Sequence, residues 1–139
     1  MLALEVVLLP VADIDRALAF YTQQVGFDLD VDYCPTAEFR VVQLTPAGSR
    51  CSVQLVAADS AARVHGLYLV TEDIVAARDA LVSRGVPVGE LTHKVPLDAW
   101  AGAFGEGPHP QRADYATFAG FTDPDGNRWM LQERGYRAA

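Results

Sequence analysis

The segment FTDPDGNRWMLQE, residues 121–133, combines residue types that could bind a metal or take part in catalysis. A tight acidic turn, DPDGN, is followed by an alternating run that ends at Glu133. A strand carboxylate can be a metal ligand when other histidine or carboxylate donors converge on the same point. The turn can instead be structural, because Pro124 pre-sets φ and Gly126 accepts a positive φ. The positions of the other potential donors decide between these two interpretations.

A second group of reactive residues flanks a long loop. His93 ends the strand-like run GELTH, where an imidazole at a cavity mouth could be a general acid or base. Arg112 and Tyr115 lie where the loop re-enters a strand and could together hold a carboxylate or phenolate. We take His93 and Tyr115 as candidate catalytic residues and Arg112 as a candidate ligand-binding residue. The alternatives are a solvated strand end for His93 and loop-anchoring hydrogen bonds for the other two. His109, between two prolines, is predicted to be exposed.

The loop itself, residues 94–115, is rich in glycine and proline and carries Trp100 and Phe104. Irregular segments of this length inside a compact domain are usually functional. Bulky aromatic side chains on such a loop favour a lid over a pocket, in which Trp100 or Phe104 would stack on a ligand. An ordinary surface excursion with one buried aromatic residue is the alternative.

The elements that must position these residues belong to an internally repeated chain. The motif D-I-x-x-A occurs at residues 13–17 and again at residues 73–77, each time after an aliphatic run. The aspartate of each copy is predicted to cap a helix by accepting hydrogen bonds from first-turn amides. Apolar residues at helical spacing follow each cap, and the helices are predicted to end at Gly26 and Gly85. Two similar modules are therefore expected.

Strand-like runs follow each predicted helix. The first half contains FDLDVDY, FRVVQLTP and CSVQLVA, and the second half contains VPVGELTH, ATFAGFTD and NRWMLQE. Alternation over residues 27–33 predicts a half-buried strand whose aspartates point outward. Each half thus reads β-α-β-β-β. This order predicts an α+β fold in one compact domain, with modules at residues 1–60 and 61–139.

Composition argues against several classes of function. The net charge of −7 and the scattered basic residues argue against nucleic-acid binding. No apolar run reaches the ~18 residues of a membrane span, and the N-terminus lacks the basic region of a signal peptide. We therefore expect a cytoplasmic protein that does not bind membranes. Cys34 and Cys51 lie in no metal-binding or redox motif, and a disulfide is not expected.

The two modules, the repeated helix start and the closing DPDGN turn resemble the vicinal oxygen chelate superfamily. That group includes glyoxalase I, bleomycin-resistance proteins and extradiol dioxygenases. The segments VADIDRALAFYTQQVGF and FTDPDGNRWMLQE carry the resemblance most specifically. It implies that each module folds into a half-barrel, that the half-barrels enclose a shared cavity, and that the protein is a homodimer. Metal-dependent members place ligands on the first and last strands of each module.

Those ligand positions hold residues that bind metals poorly in this sequence. The two first-strand positions, seven residues before each helix-start aspartate, are Val6 and Gly66, and the two last-strand positions are Gln54 and Met130. A divalent cation needs several histidine or carboxylate donors that converge on one point. The resemblance therefore implies a member without the usual metal and without another cofactor.

Two nearby donors could rebuild a metal site only with irregular strands. His65 is one residue from an expected position and Glu133 is three residues beyond another. Odd offsets turn a side chain to the opposite face of a strand, so both are predicted to face away unless bulges intervene.

The leading hypothesis is a protein that binds a small apolar or aromatic molecule in the cavity, like the metal-free bleomycin-resistance branch. The candidate ligand-binding residues lie at cavity-facing strand positions and on the loop: Val6, Gln54, Tyr68, Trp100, Phe104, Arg112 and Met130. These residues could also fill a collapsed core. The alternative function is a lyase, isomerase or dioxygenase of the same superfamily, with a rearranged metal site or with His93 and Tyr115 acting without metal. A structural or interaction domain is the third hypothesis, so the sequence leaves open whether the chain is an enzyme.

Overall fold

The computed structural model describes residues 1–58, 63–96 and 103–139. Trp100, one of the predicted ligand-binding residues, lies outside the described residues. No helix in the described part of the chain is long and apolar enough to span a membrane.

The chain forms two compact units, each of which has most of its residue contacts within itself. The first unit contains Met1–Val64 and Asp123–Asn127, and the second contains His65–Thr122 and Arg128–Ala139. The acidic DPDGN turn therefore belongs by its contacts to the first unit, although its flanking strands belong to the second.

The first unit is a four-stranded sheet with one helix. Its elements are β1 (Val6–Val11), α1 (Ile14–Ala19) with a π-helical continuation (Phe20–Val25), β2 (Asp28–Thr36), β3 (Phe39–Thr45) and β4 (Ser52–Ala57). The strand order is β1-β4-β3-β2, and only the β1–β4 pair is parallel. Alternate strand residues are buried against the helix, namely Leu9, Val11, Val42, Leu44 and Leu55 from the strands and Ala17 and Phe20 from the helix and its continuation. The residues between them form the opposite face, which we call the first open face.

The second unit repeats this plan with one more strand. Its elements are β5 (Leu67–Thr71), α2 (Ile74–Ser83), β6 (Thr92–Val95), β7 (Ala103–Glu106), β8 (Thr117–Thr122) and β9 (Arg128–Glu133). The strand order is β5-β9-β8-β6-β7, with β5 parallel to β9 and the other pairs antiparallel. One face of the sheet is buried with α2 through Ile74, Leu81, Ala119, Phe121, Trp129 and Leu131. The other face is called the second open face below.

The helix boundaries follow the predicted capping chemistry. The Asp13 carboxylate accepts the Arg16 amide at 3.1 Å, and the Asp73 carboxylate accepts the Ala76 amide at 3.1 Å. Gly26 has φ of 95° and Gly85 has φ of 86°, the left-handed conformation that ends a helix at low cost only for glycine. The repeated D-I-x-x-A motif therefore encodes a helix start in both modules, as predicted.

Strand β2 differs from its predicted half-buried state. All nine of its residues are exposed, and these include Leu29, Val31 and Tyr33. The strand lies at the end of the sheet order, and its register with β3 shifts twice. An end strand with irregular register packs against only one neighbour, so alternation alone does not bury its apolar side chains.

The long loop also differs from its prediction as an irregular segment. Strand β6 continues through Lys94 to Val95, and Ala103–Glu106 forms β7 against it. The second module is therefore β-α-β-β-β-β. Phe104 lies on this added strand, opposite Lys94, which fixes both side chains on one face of a sheet.

Candidate functional site

The acidic turn is held together by hydrogen bonds to the Asp123 carboxylate. The Asp123 carboxylate accepts from the Tyr21 hydroxyl at 2.7 Å and from the Asn127 side-chain amide at 2.8 Å. It also accepts the backbone amides of Asp125 and Asn127, both at 2.9 Å. All four of these residues are buried. A carboxylate with four donors is satisfied by the protein itself, so the turn is structural, as the turn chemistry predicts.

Asn127 joins this turn to two other segments of the first unit. Its side-chain nitrogen donates to the Pro10 carbonyl at 2.9 Å, and its side-chain oxygen accepts the Val64 amide at 2.9 Å. The Asp125 carboxylate accepts the Ala12 amide and the Arg16 guanidinium, also at 2.9 Å. The turn therefore organises the first unit, and among its buried side-chain oxygens the second Asp125 oxygen, Oδ2, has no hydrogen-bond partner in the described structure.

Glu133, the carboxylate at the end of the same segment, is fully buried against α2. It accepts the Ile74 amide at 2.8 Å and two Arg112 nitrogens at 2.7 and 2.5 Å. Arg112 also contacts Asp73 at 3.3 Å and lies 3.6 Å from the centre of the Tyr136 ring. The hydrogen-bonded Glu133 carboxylate raises the pKa of Arg112 above its usual value. Arg112 is therefore engaged in an internal ion pair, away from the second open face.

His93 faces the same buried side of the second sheet. Its Nδ1 lies 2.9 Å from the Gly107 carbonyl, which can only accept, so Nδ1 carries the proton. Its ring meets the edge of His109 with 5.9 Å between ring centres. His109 is buried at 8% exposure, which corrects the expected exposure. The His109 amide donates to the Thr117 hydroxyl, and the His109 Nδ1 accepts from the Gln111 amide. The His109 side chain therefore stabilises the turn that follows it.

Tyr115 lies at the surface beside the C-terminal segment. Its backbone has φ of 61°, its amide donates to the Glu133 carbonyl, and its hydroxyl accepts from Arg134 at 3.1 Å. Among the described residues that line the cavities discussed below, neither His93 nor Tyr115 is present.

The second open face carries a cavity of about 830 Å³. Its described lining combines aromatic and apolar residues with a few polar groups: Tyr68, Thr92, Lys94, Phe104, Phe118, Met130 and Gln132. Three of the seven predicted ligand-binding residues meet here, namely Tyr68, Phe104 and Met130. All of its described lining residues belong to the second unit.

Strand register explains why these side chains meet. One row across the sheet runs Val70, Gln132, Phe118, Thr92 and Glu106, each residue opposite the next. A neighbouring row runs from Tyr68 through Met130 to Gly120, and on the other side Lys94 pairs with Phe104. Residues directly opposite each other point to the same face. The cavity is therefore built on regular strands and not on the loop alone.

The cavity has a buried base and exposed walls. Phe118 is 8% exposed, whereas Tyr68 is 57% and Phe104 is 61% exposed. Phe104 meets Phe118 in an edge-to-face contact with 6.0 Å between ring centres. The Lys94 ammonium lies 5.7 Å from the centre of the Phe118 ring. Two aromatic rings and a cation thus surround one concave space.

A second cavity of about 670 Å³ shares Tyr68 and Met130 with the first. Three glycines contribute to its lining, namely Gly66, Gly89 and Gly120. A Cβ at Gly120 would lie 3.6 Å from the Met130 methyl group, so the glycine leaves this floor flat. Space for a ligand therefore extends along the sheet beyond Met130.

The residues at the expected metal positions do not fit a divalent cation. Val6 and Gln54 lie on the first open face, while Gly66 and Met130 lie in the second unit. Together they offer one amide oxygen and one thioether, a weak donor set for such an ion. Glu133 points to the opposite side of its strand from Met130, as its offset predicts. In the described ranges no group of three His, Cys, Asp or Glu residues is placed to hold a metal ion.

Four cavity residues were not among the predicted ligand-binding residues: Thr92, Lys94, Phe118 and Gln132. The signal that could have found three of them is the two-residue period of strands. Gln132 shares the face of Met130, and Thr92 and Lys94 alternate with His93. Phe118 required knowledge of the β6–β8 pairing, which the sequence does not give.

Comparisons with known proteins agree with this fold. A family model described as the Glyoxalase/Bleomycin resistance protein/Dioxygenase superfamily matches residues 3–131. TnmS3, an antibiotic binding protein from Streptomyces sp. CB03234, is 30% identical, with a TM-score of 0.71 over 96% of both chains. A glyoxalase/bleomycin resistance protein from the same strain is 31% identical, with a TM-score of 0.68 over 94% of this chain and 99% of that chain.

More distant similarity supports the fold alone. A superfamily member from Sphaerobacter thermophilus DSM 20745 is 24% identical, with a TM-score of 0.71 over 96% of this chain and 98% of that chain. No curated protein matches the chain in sequence. With its two similar modules and a family match over nearly its whole length, the chain belongs to the glyoxalase/bleomycin resistance protein/dioxygenase superfamily.

Proposed function

We propose that this protein binds a small aromatic or largely apolar molecule on its second open face and sequesters or carries it in the cytoplasm. The single observation that supports this proposal best is the cavity of about 830 Å³ lined by Tyr68, Phe104, Phe118 and Met130. Binding sites for small molecules are typically concave, mostly apolar and about 300–1,000 Å³ in volume.

Exposure of the cavity walls provides the driving force in this proposal. Tyr68 and Phe104 keep more than half of their surface in contact with water. A flat aromatic ligand placed against them would remove apolar surface from water, which is worth ~25 cal/mol per Å². Contacts with the Phe118 ring would orient the ring of the ligand, since aromatic pairs favour offset or edge-to-face geometry. The polar groups of Thr92 and Gln132 would fix one edge of the ligand.

Similarity to TnmS3 is a second support. That protein is described as an antibiotic binding protein and is 30% identical to this chain. We infer that binding, without the superfamily's usual metal, is also the function here, because the residues at the expected ligand positions do not fit a divalent cation. The alternative of a lyase, isomerase or dioxygenase would need catalytic groups beside the ligand, and the predicted pair, His93 and Tyr115, lies outside the described lining of both cavities.

We also expect a homodimer that covers apolar surface on the first open face, which leaves the cavity of the second open face free for a ligand. The first open face exposes Leu8, Val31 and Tyr33. Contiguous exposed apolar surface is typical of interaction sites.

Sedimentation equilibrium tests the dimer. It should give twice the chain mass of 15.0 kDa, and Val31→Glu should shift the mass towards one chain because it places a charge on the first open face. Val82→Glu on α2 is the matched control, since Val82 is similarly exposed. A wild-type mass of one chain would contradict the dimer, and twice the chain mass for both variants would contradict the first open face as its interface.

Loss of binding in a cavity variant tests the proposed function. N-phenyl-1-naphthylamine, a neutral aromatic dye, should bind with increased fluorescence, and Phe104→Ala should weaken its binding about tenfold. The reason is that Phe104 supplies an exposed aromatic wall, so its removal takes away ligand contact without opening the buried core.

Val82→Ala is the control for this experiment. It removes exposed apolar surface from α2 in the same unit, and we expect no change in dye affinity. Failure of the wild-type protein to bind the dye or a panel of similar aromatic compounds would refute the function. Equal affinities of wild type and Phe104→Ala would move the site away from this cavity.

A further inference from the structure

Lys94 is the only lysine in the sequence, since all other basic side chains, apart from histidine, are arginines. It is also part of the described lining of the cavity. Its backbone is held on both sides, because it pairs with Phe104 on β7 and its amide donates to the Ala116 carbonyl at 3.0 Å. The ammonium lies near the face of Phe118, at the buried base of the cavity.

We propose that the ligand of this cavity is an aromatic molecule that carries an anionic oxygen, a carboxylate or an ionised phenol, which Lys94 binds. This inference rests on the proposed binding function and adds the chemical class of the ligand. The shared chemistry is a negative oxygen attached to, or next to, an aromatic ring.

The distribution of charge in the cavity supports this class. Lys94 is the charged residue among the described lining residues, and its neighbours Thr92 and Gln132 are neutral hydrogen-bonding groups. Glu106 is the acidic residue on the same face, opposite Thr92 at the outer strand, and it is exposed and outside the described lining. A cation in a mostly apolar concave site favours an anionic ligand, because the interaction is stronger there than in bulk water. Arg128 lines the adjoining cavity and lies outside this lining.

The chain as a whole is acidic, so the binding of an anion depends on a local cation. Its net charge of −7 disfavours anions over most of the surface. A ligand with a negative oxygen is therefore attracted to the position of Lys94 and repelled by most of the remaining surface. The ammonium has three donors, so it can keep an existing contact and still donate to a ligand.

Geometry also places the ring of such a ligand. Phe104 is directly opposite Lys94, and Phe118 lies under the ammonium with Thr92 opposite it on the next strand. A ligand oxygen at Lys94 would put an attached ring between Phe104 and the row that contains Phe118 and Gln132. The cation then fixes one end of the ligand while the aromatic side chains contact its body.

A matched pair of ligands tests the anion directly. Naphthalene-2-carboxylate and naphthalene-2-carboxamide have the same ring and nearly the same shape, but only the first is charged at pH 7. Isothermal titration calorimetry should show the carboxylate binding about tenfold more tightly to wild type. Lys94→Met should bring the two affinities together by weakening the carboxylate alone, and Lys94→Arg should keep the preference. Glu106→Gln is the control on the same face, and it should keep or increase the preference for the carboxylate.

Chemical labelling gives a second, independent measurement. Acetylation with a water-soluble N-hydroxysuccinimide ester can modify only Lys94 and the N-terminal amine among the amines of the chain. Naphthalene-2-carboxylate should slow acetylation of Lys94 and leave that of the fully exposed Met1 unchanged, as read by mass spectrometry of the peptides. The Met1 amine thus serves as an internal control in the same molecule.

The outcomes separate this inference from the proposed function. Equal binding of carboxylate and carboxamide to wild type, or undiminished carboxylate binding by Lys94→Met, would overturn the anionic ligand class while binding itself stands. Protection of Lys94 and Met1 to the same extent would also overturn it. If neither naphthalene compound nor the neutral dye binds, both the function and the ligand class are wrong.

Discussion

Replacing Arg112 with alanine is expected to lower the free energy of unfolding by about 3–5 kcal/mol. Arg112 donates two hydrogen bonds to Glu133, whose carboxylate has no exposed surface. Without the guanidinium, a buried negative charge keeps only the Ile74 amide as a described donor. Removing one partner of a buried ion pair is costly because the other charge remains out of water. Guanidinium chloride denaturation followed by tryptophan fluorescence measures the change.

Arg40→Ala is the matched control for this variant. Arg40 also pairs with two carboxylates, those of Asp15 and Asp32, but these pairs lie at the surface. Surface ion pairs contribute about 0–1 kcal/mol, so the control should unfold close to wild type. A loss no larger for Arg112→Ala than for Arg40→Ala would show that the Glu133 pair is not a major source of stability.

A double variant keeps this prediction testable if Arg112→Ala fails to fold. Replacing Arg112 with leucine and Glu133 with glutamine removes both charges, and the glutamine side-chain oxygen can still accept from the Ile74 amide. Removing both charges avoids the cost of an isolated buried charge. We expect the double variant to recover much of the stability that Arg112→Ala loses. The result would attribute the loss to the isolated charge of Glu133 and not to the missing volume of Arg112.

Replacing Asn127 with alanine is expected to destabilise the protein by about 3 kcal/mol. The variant leaves the Pro10 carbonyl and the Val64 amide without the donor and acceptor that Asn127 supplies. It also removes one of the donors to the buried Asp123 carboxylate. A polar group that loses its partner costs about 1–3 kcal/mol when it is buried, and the part-buried Pro10 and Val64 groups recover some of this cost from water.

Thermal unfolding and denaturant unfolding of Asn127→Ala should give the same decrease in the free energy of unfolding. Gln111→Ala is the control, because it removes an exposed amide side chain, and surface changes of this kind usually stay within about 0.5 kcal/mol. Equal stabilities of the two variants would mean that the turn network around Asn127 is held by its backbone bonds alone.

Local signals in the sequence predicted the local structure well. The capping aspartates and the glycines at the helix ends act within a few residues, so their effect does not depend on the rest of the fold. The orientation of Glu133 relative to Met130 was likewise predictable, because it depends only on the period of one strand. These features explain why both the repeated module and the exclusion of Glu133 from the open face could be read directly from the sequence.

Contacts between distant positions explain what the sequence could not predict. Arg112 reaches Glu133 across 21 residues, and nothing near Arg112 in the sequence indicates an internal partner. Strand β7 has only four residues in a glycine-rich segment, and it is a strand because β6 pairs with it. The burial of His109 depends on Thr117 and the amides of its own turn. In each case the partner determines the role of the residue, and pairing is a property of the folded chain.

The end strand β2 has a consequence for solubility. A strand at the end of a sheet has unpaired backbone groups that can add a strand from another molecule and start aggregation. In β2 this edge carries Asp28, Asp30 and Asp32, contains Pro35, and shifts register twice against β3. Asp32 is paired with Arg40, but the charges of Asp28 and Asp30 and the missing Pro35 amide oppose the approach of a second identical edge, and the shifts interrupt its regular spacing. A protein that exposes so much apolar surface on its open faces can thus remain dispersed, because its longest end strand opposes pairing with its own copy.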